Sequence, residues 1–221
     1  MARPPETLSR DPDATRKRIL AAAKHEFSRY GLGGARVDRI AARAKSNKRM
    51  LYHYFGNKEC LFQRTLEDAY GRFRAAETAL NIEHDDPITA IRRLCAFTWD
   101  YYVANPEFIT LVNSENLHKA KHIKDSATMD VLNRPFVARM DELLRRGAEA
   151  GRFRSGLDTV QVLITVAGLG YHYLNNRHTG AVVYGRDLSS EAAYKARSAF
   201  NSDALLRIVC TPQTLAELDK H

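Results

Sequence analysis

Apolar residues recur every three or four positions from early in the chain. Ile19, Ala23, Phe27 and Tyr30, with Leu20 beside them, form one stripe, the mark of a helix with a single buried face. Asp11 or Asp13 can cap that helix, Pro12 suits its first turn, and Gly31, Gly33 and Gly34 provide its end, because glycine accepts the left-handed backbone that helix termini often need. A shorter stripe, Val37, Ile40, Ala41 and Ala44, predicts a second helix, followed by a turn at Lys45-Ser46. In the third helix Met50 and Leu51 face a small core, Phe55 closes it, and Tyr54 can face either way. Asn57 then caps a fourth helix that runs to about Leu80, with Glu59 near its positive end.

The pattern stays helical to the end. Ile88, Ile91, Leu94, Cys95 and Tyr102 share a face between Pro87 and Ala104, and Asn105-Pro106 breaks that helix, since the residue before proline disfavours helical backbone. A further helix or two covers Phe108 to about Asp125. Pro135 opens or bends the next helix, which ends at Gly147 or Gly151. Asp158 and Gln161 resemble a capping box for a helix reaching about Arg177; Thr179 to Leu188 reads as a loop, and Ser189 or Ser190 starts a last helix to about Val209. The expected class is all-α. The expected division is an N-terminal three-helix domain at 1–60, its first ten residues a flexible arm, and a larger helical domain at 61–221.

Two short helices joined by a three- or four-residue turn, as predicted between Val37 and Phe55, form a helix-turn-helix whose second helix fits a DNA major groove. Charge sharpens this reading. The net charge of the 221 residues is +8; residues 1–60 hold 14 Lys and Arg against 6 Asp and Glu, and the rest hold 20 of each sign. The whole excess sits with the helix-turn-helix, where a polyanion is its natural partner. Cys60, Cys95 and Cys210 are few and far apart and read as free thiols of a reducing cytosol. The start of the chain lacks the apolar run of a secretory signal, and Val160 to Leu174 is shorter than the roughly 20 residues of a membrane span. A cytoplasmic protein with no membrane partner is expected.

The residues also carry a family resemblance. Phe27-x-x-x-Gly31, then V-D-R-I-A-x-x-A from Val37, then L-Y-H-Y-F-G-N-K-E from Leu51 resemble the N-terminal domain of the tetracycline-repressor (TetR) family of bacterial regulators, over about Thr15 to Phe62. Three positions depart from the family pattern. Lys45-Ser46 stands where Gly-Val is common, Arg36 where a small hydroxyl residue is usual, and Arg49 where a small residue is usual. The resemblance implies a sequence-specific transcriptional regulator, most often a repressor released by a small molecule. It implies double-stranded, palindromic operator DNA as partner and a helical C-terminal domain that forms a homodimer and senses a ligand. The C-terminal layout is loosely similar to the pyrimidine-sensing branch, without a sharp motif, and no effector is named from it.

Candidate DNA contacts are Arg36, Ser46, Lys48, Arg49, Tyr52, His53, Tyr54 and Lys58. Lys48 and Arg49 open the recognition helix, where they can meet phosphates or guanine acceptors; Tyr52 and His53 follow one turn on. Lys58 adds its charge to the free N–H groups of a helix start, and the resemblance also places a phosphate contact there. Candidate ligand contacts are Trp99, Tyr102, Asn113, Glu115, Asn116, His118, Tyr171 and Asn175, polar groups among aromatics that suit a pocket but equally a core with polar caps. Val160, Leu163, Ile164, Ala167, Leu169 and Leu174 make the helix near 157–178 apolar almost all round, which with the last helix suggests the dimer surface. No cofactor and no metal are expected: His118 and His122 share a helix face, but zinc needs three or four ligands. The sequence lacks a nucleophile elbow, a phosphate-binding glycine loop and a zinc-protease signature. An enzyme is therefore not expected. A DNA-binding regulator without a small-molecule effector, metal-responsive or architectural, is the alternative.

Overall fold

Asp11 caps the first helix: its carboxylate accepts the Asp13 N–H at 2.9 Å, and Pro12 takes the first helical position. The computed structural model describes residues 11–220, so the expected arm at 1–10 lies outside the described residues. Ten helices follow in order among the described residues: α1 (Pro12–Gly34), α2 (Val37–Arg43), α3 (Lys48–Phe55), α4 (Lys58–Thr78), α5 (Pro87–Ala104), α6 (Pro106–Leu117), α7 (Ala127–Glu149), α8 (Thr159–Tyr184), α9 (Glu191–Val209) and α10 (Pro212–Leu218). The fold is all-α. Among the described residues one isolated antiparallel bridge joins Phe153 to Cys210.

The chain forms two compact units. The first runs to Ala69 and adds Thr110–Ser126; the second comprises Tyr70–Ile109 and the chain from Ala127 onward. The helix-turn-helix unit thus holds more chain than residues 1–60. Its core is Ile19, Ala23, Phe27, Ile40, Leu51, Phe55, Leu61 and Phe62, all buried, with the Phe27 and Phe62 rings edge to face at 5.1 Å. Tyr30 is 42% exposed and leaves the predicted stripe; α1 turns at Gly31, whose φ of 64° only glycine adopts without strain. The inserted segment is pinned by polar bonds: Leu32 N–H donates to Ser114 Oγ at 3.3 Å, and Ser126 Oγ donates to Glu67 at 2.6 Å.

In the second unit, the predicted face of α5 is buried throughout and packs with Met140, Leu143, Leu144, Val162, Val166, Leu205, Leu206 and Val209. Three boundaries and one element differ from the sequence reading. Pro135 does not open α7, which begins at Ala127, but lies inside it. α6 stops at Leu117, and turns with Lys119 and Ala120 at positive φ follow. α8 continues through Gly180 to Tyr184, because Gly180 leaves room for Leu188: a Cβ there would meet the Leu188 methyl at 2.9 Å. α10 had no counterpart in the predicted elements; Thr211 caps it, and its Thr211 N–H reaches Arg152 O at 3.0 Å.

Gly147 is the tightest glycine of the helices. A Cβ there would lie 1.9 Å from the Phe153 ring, which is 2% exposed. Gly147→Ala should therefore lower stability in urea denaturation by about 1–3 kcal/mol, the usual range for overpacking, where an unhindered helical Gly→Ala exchange would raise it by ~1 kcal/mol.

Candidate nucleic-acid interface and sensor clefts

The geometry of the helix-turn-helix is set from α1. Glu26, buried, accepts the Arg36 N–H at 2.9 Å and Arg39 Nε at 2.7 Å. Arg36 is the N-cap of α2 and makes no side-chain cap of its own, so Glu26 does from a neighbouring helix what a capping-box residue does from within. Burial alone pushes the Glu26 carboxyl up, but the bonds from Arg39 and from the Arg36 backbone outweigh it and hold the group below its ordinary value. The Arg39 guanidinium also lies over the Tyr30 ring, 4.2 Å from its centroid, which accounts for that exposed tyrosine.

The turn runs through Ala44 to Asn47. Lys45 has φ 50°, the left-handed conformation, at the position where the resemblance leads one to expect glycine. Asn47 then caps α3, its side chain accepting the Met50 N–H at 2.9 Å. The sequence reading did not single out Asn47, although an Asn three residues before an apolar position is an N-cap signal. α3 buries Leu51 and Phe55 and half-buries Met50.

Lys48, Arg49, Tyr52 and His53 are exposed together on the other face of α3, with Tyr52 46% exposed. Tyr54 is half-buried; its ring lies 5.3 Å from that of His53, and the Arg16 guanidinium lies 6.0 Å from its centroid. Arg36 is exposed and Ser46 half-buried. Lys58, half-buried at the start of α4, donates to Ala35 O at 3.4 Å. Lys48 is ion-paired with Asp38 of α2, a partner the sequence reading missed. The first turn of α3 carries no acid and begins with two cations. That inverts the arrangement a helix prefers, since its N-terminus is already the positive end. An anion docked there would relieve the conflict.

The predicted ligand residues divide between the two units. Trp99 and Tyr102 are buried among aromatic rings of the second: Trp99 lies edge to face with Tyr173 and with Tyr194, each at 5.6 Å, and Tyr102 stacks on Phe108 at 5.9 Å. Tyr171 is half-buried and Asn175 exposed on α8. Asn113, Glu115, Asn116 and His118 belong to the first unit. There Glu115 is buried and takes the His122 N–H and the His122 ring, each at 2.7 Å. None of the eight lines the apolar cleft of about 410 Å³ in the second unit, between the end of α4, α5 and α7. Its walls are Ile82, Leu94, Phe136, Met140 and Leu143, with Arg139 and Arg146 among its polar groups. Among the described residues no three His, Cys, Asp or Glu gather as a metal site, and no helix is long and apolar enough to cross a membrane.

Comparison with known proteins follows this geometry closely. The family described as "Bacterial regulatory proteins, tetR family" matches residues 19–65, and "Tetracyclin repressor-like, C-terminal domain" matches 87–205. The HTH-type transcriptional repressor NicS of Pseudomonas putida is 40% identical over 195 residues, which is 88% of this chain and 92% of NicS. The HTH-type transcriptional repressor SCO4008 of Streptomyces coelicolor is 41% identical over 109 residues, 49% of this chain and 53% of that protein. Among solved structures, the transcriptional regulator SCO4942 of Streptomyces coelicolor superposes with a TM-score of 0.67 at 26% identity, covering 88% of this chain and 98% of that one.

Two predictions concern the frame of the interface. Lys45→Gly should raise stability by about 0.5–1 kcal/mol in thermal denaturation, the left-handed strain of roughly 1–2 kcal/mol being partly offset by the greater unfolded-state freedom of glycine. Glu26→Gln should destabilise the protein by about 1–2 kcal/mol at neutral pH. Because the Glu26 carboxyl is held low in the folded state, its contribution is complete above the unfolded-state pKa and is lost as the pH falls through the folded-state one. The gap between wild type and Glu26→Gln in urea denaturation should close over that acid range.

Proposed function

The chain belongs to the TetR family of bacterial transcriptional regulators, and we propose that it acts as a homodimeric repressor released from its operator by a small molecule. Members of this family are DNA-binding regulators rather than enzymes, bind operator DNA and work as dimers. The observation that carries the DNA reading for this chain is the start of α3. Two cations crowd the positive end of a helix whose exposed face also carries Tyr52 and His53. Lys48, Arg49 and Lys58 serve as phosphate clamps, with Arg36 and Ser46 at the flank; Tyr52, His53 and Tyr54 reach bases or sugars. In the free protein Asp38 occupies Lys48, so docking exchanges an internal ion pair for a phosphate.

The proposed dimer face is the outward stripe of α8 with that of α9. Val160 is 52% exposed, Ile164 59% and Phe200 57%, and apolar side chains in such a run call for a cover. A two-fold dimer carries two readers, and its operator is then a palindrome. The effector occupies the cleft lined by Leu94, Phe136 and Met140, whose volume of about 410 Å³ suits a small molecule. α4 runs from the reader into this unit, and α7, which lines the cleft, follows directly on Ser126, held by Glu67. Effector and operator then oppose each other reciprocally: each weakens the other by the same factor. A protein that meets chromosomal DNA and metabolites in this way works in the cytoplasm.

Footprinting on DNA preceding its own reading frame should protect a palindromic segment. Lys48→Ala should weaken that binding and lower the slope of log affinity against log salt by about one unit, while Asp38→Asn should tighten it. An unchanged slope in Lys48→Ala would remove Lys48 from the phosphate contacts.

A further inference from the structure

A groove of about 470 Å³ runs between the later turns of α1 and the outer side of α2, with no residue of α3 in its walls. It is lined by His25, Arg29 and Tyr30 of α1 and by Arg39, Ala42 and Arg43 of α2, with the buried Glu26 beneath them. We propose that this groove takes the sugar-phosphate backbone of duplex DNA lying beyond the half-site that α3 reads, so that each reader grips a longer and curved segment. This contact presupposes the DNA reading of α3 and adds a surface that α3 does not form.

The charges of α2 are sorted by side. Its acid, Asp38, faces α3 and pairs with Lys48. Arg36, Arg39 and Arg43 stand at i, i+3 and i+7, the spacing of one helix face, and all three are exposed. The stripe is therefore continuous with Arg36 at the flank of the proposed DNA contacts. Seven residues of helix span about 10 Å, over which one strand of a duplex presents about three phosphates. The facing side of α1 adds Arg29, one turn after His25. Within the groove the Glu26 carboxylate is taken by Arg39, at 2.6 Å. Arg29 and Arg43 pair with no carboxylate among the described residues, so the groove keeps an uncompensated positive charge.

The walls select a phosphate backbone over other partners. The Arg39 guanidinium lies 4.2 Å from the Tyr30 centroid and that of Arg29 lies 5.6 Å from it. The ring thus serves the cations instead of offering a bare face to a nucleobase. Two guanidinium groups held on one ring lose little freedom when they meet phosphate oxygens, and their planar forks match such oxygens in pairs. An acidic protein would need an apolar anchor at the centre of its interface, and Ala42 is the one aliphatic side chain in the walls. The stripe lies on the α1 side of α2, so a duplex must curve towards α1 to reach Arg43. The added phosphate contacts offset the cost of that curvature.

Fluorescence anisotropy on the full-length protein tests this with two duplexes. One is the palindromic core of the footprinted segment, blunt at both ends; the other adds about ten base pairs of mixed sequence, one helical turn, on each side. The extended duplex should bind about tenfold tighter, and its slope of log affinity against log salt should be steeper by about two units per reader. Arg43→Ala should lower the slope on the extended duplex by about one unit per reader and leave the blunt core unchanged. Arg29→Gln should do the same, and serves if Arg43→Ala does not fold. Lys48→Ala, by contrast, should lower the slope on both duplexes. Equal affinity and slope on the two duplexes, or an equal loss on both in Arg43→Ala and Arg29→Gln, would overturn the groove contact alone. Failure of the unaltered chain to bind either duplex would overturn the DNA reading of α3 with it.

Discussion

Glu26 joins the first helix of the reader to the second. One buried carboxylate accepts the backbone N–H at the start of α2 and the Arg39 side chain within α2, and so fixes where α2 begins and how it is rotated. α3 follows after a short turn and inherits that placement. A base-reading helix depends on such a frame, because its side chains reach the groove only from one orientation. The same carboxylate makes up for Arg36, which brings a cation to the reader but cannot cap α2 with its side chain. Additional charge for DNA and a sound helix start are compatible here because the cap comes from another helix.

The reader is also completed from a distance. Thr110–Ser126 belongs to the same compact unit as α1–α3. Ser114, Glu115 and Ser126 each spend a polar group there: Ser114 on the chain just past Gly31, Glu115 on His122, and Ser126 on Glu67. His122 in turn lies edge to face with Phe62 at 5.3 Å. Burial pushes the Glu67 carboxyl up, but the bonds from Ser126, Arg64 and Gln63 bring it below its ordinary value. These bonds are local to the reader, yet the segment that makes them leads straight into α7.

Much of this was legible from residue spacing. The caps at Asn57 and Asp158, those at Asp11 and Ser190 as one of two candidates each, the break at Asn105-Pro106 and the buried face of α5 follow from local rules, in which a side chain meets the backbone two to four residues away. The end of α8 was placed too early at Gly180, a local helix breaker that the fold keeps inside the helix, where its bare backbone admits the Leu188 side chain. The surroundings of the candidate ligand residues follow the same logic. Trp99 and Tyr102 have the composition of a pocket wall, yet a core and a pocket draw on the same side chains, and only their neighbours distinguish the two.

Periodicity, glycine and proline punctuation and the position of charge thus determined the all-helical class, the helix-turn-helix and its positive face, since each depends on residues close together in the chain. Tertiary structure alone decided that Glu26 frames the reader, that Asp38 holds Lys48, that Glu115 pairs with His122, and where the clefts of the C-terminal unit lie. Some of these meetings join residues far apart in the chain, as Glu83 with Arg139 at the first cleft and Ser114 with Leu32 of the reader illustrate at separations of 56 and 82. Nothing in the spacing of a sequence encodes such a meeting; it arises when buried apolar faces bring distant polar groups together and leave each of them to find a partner.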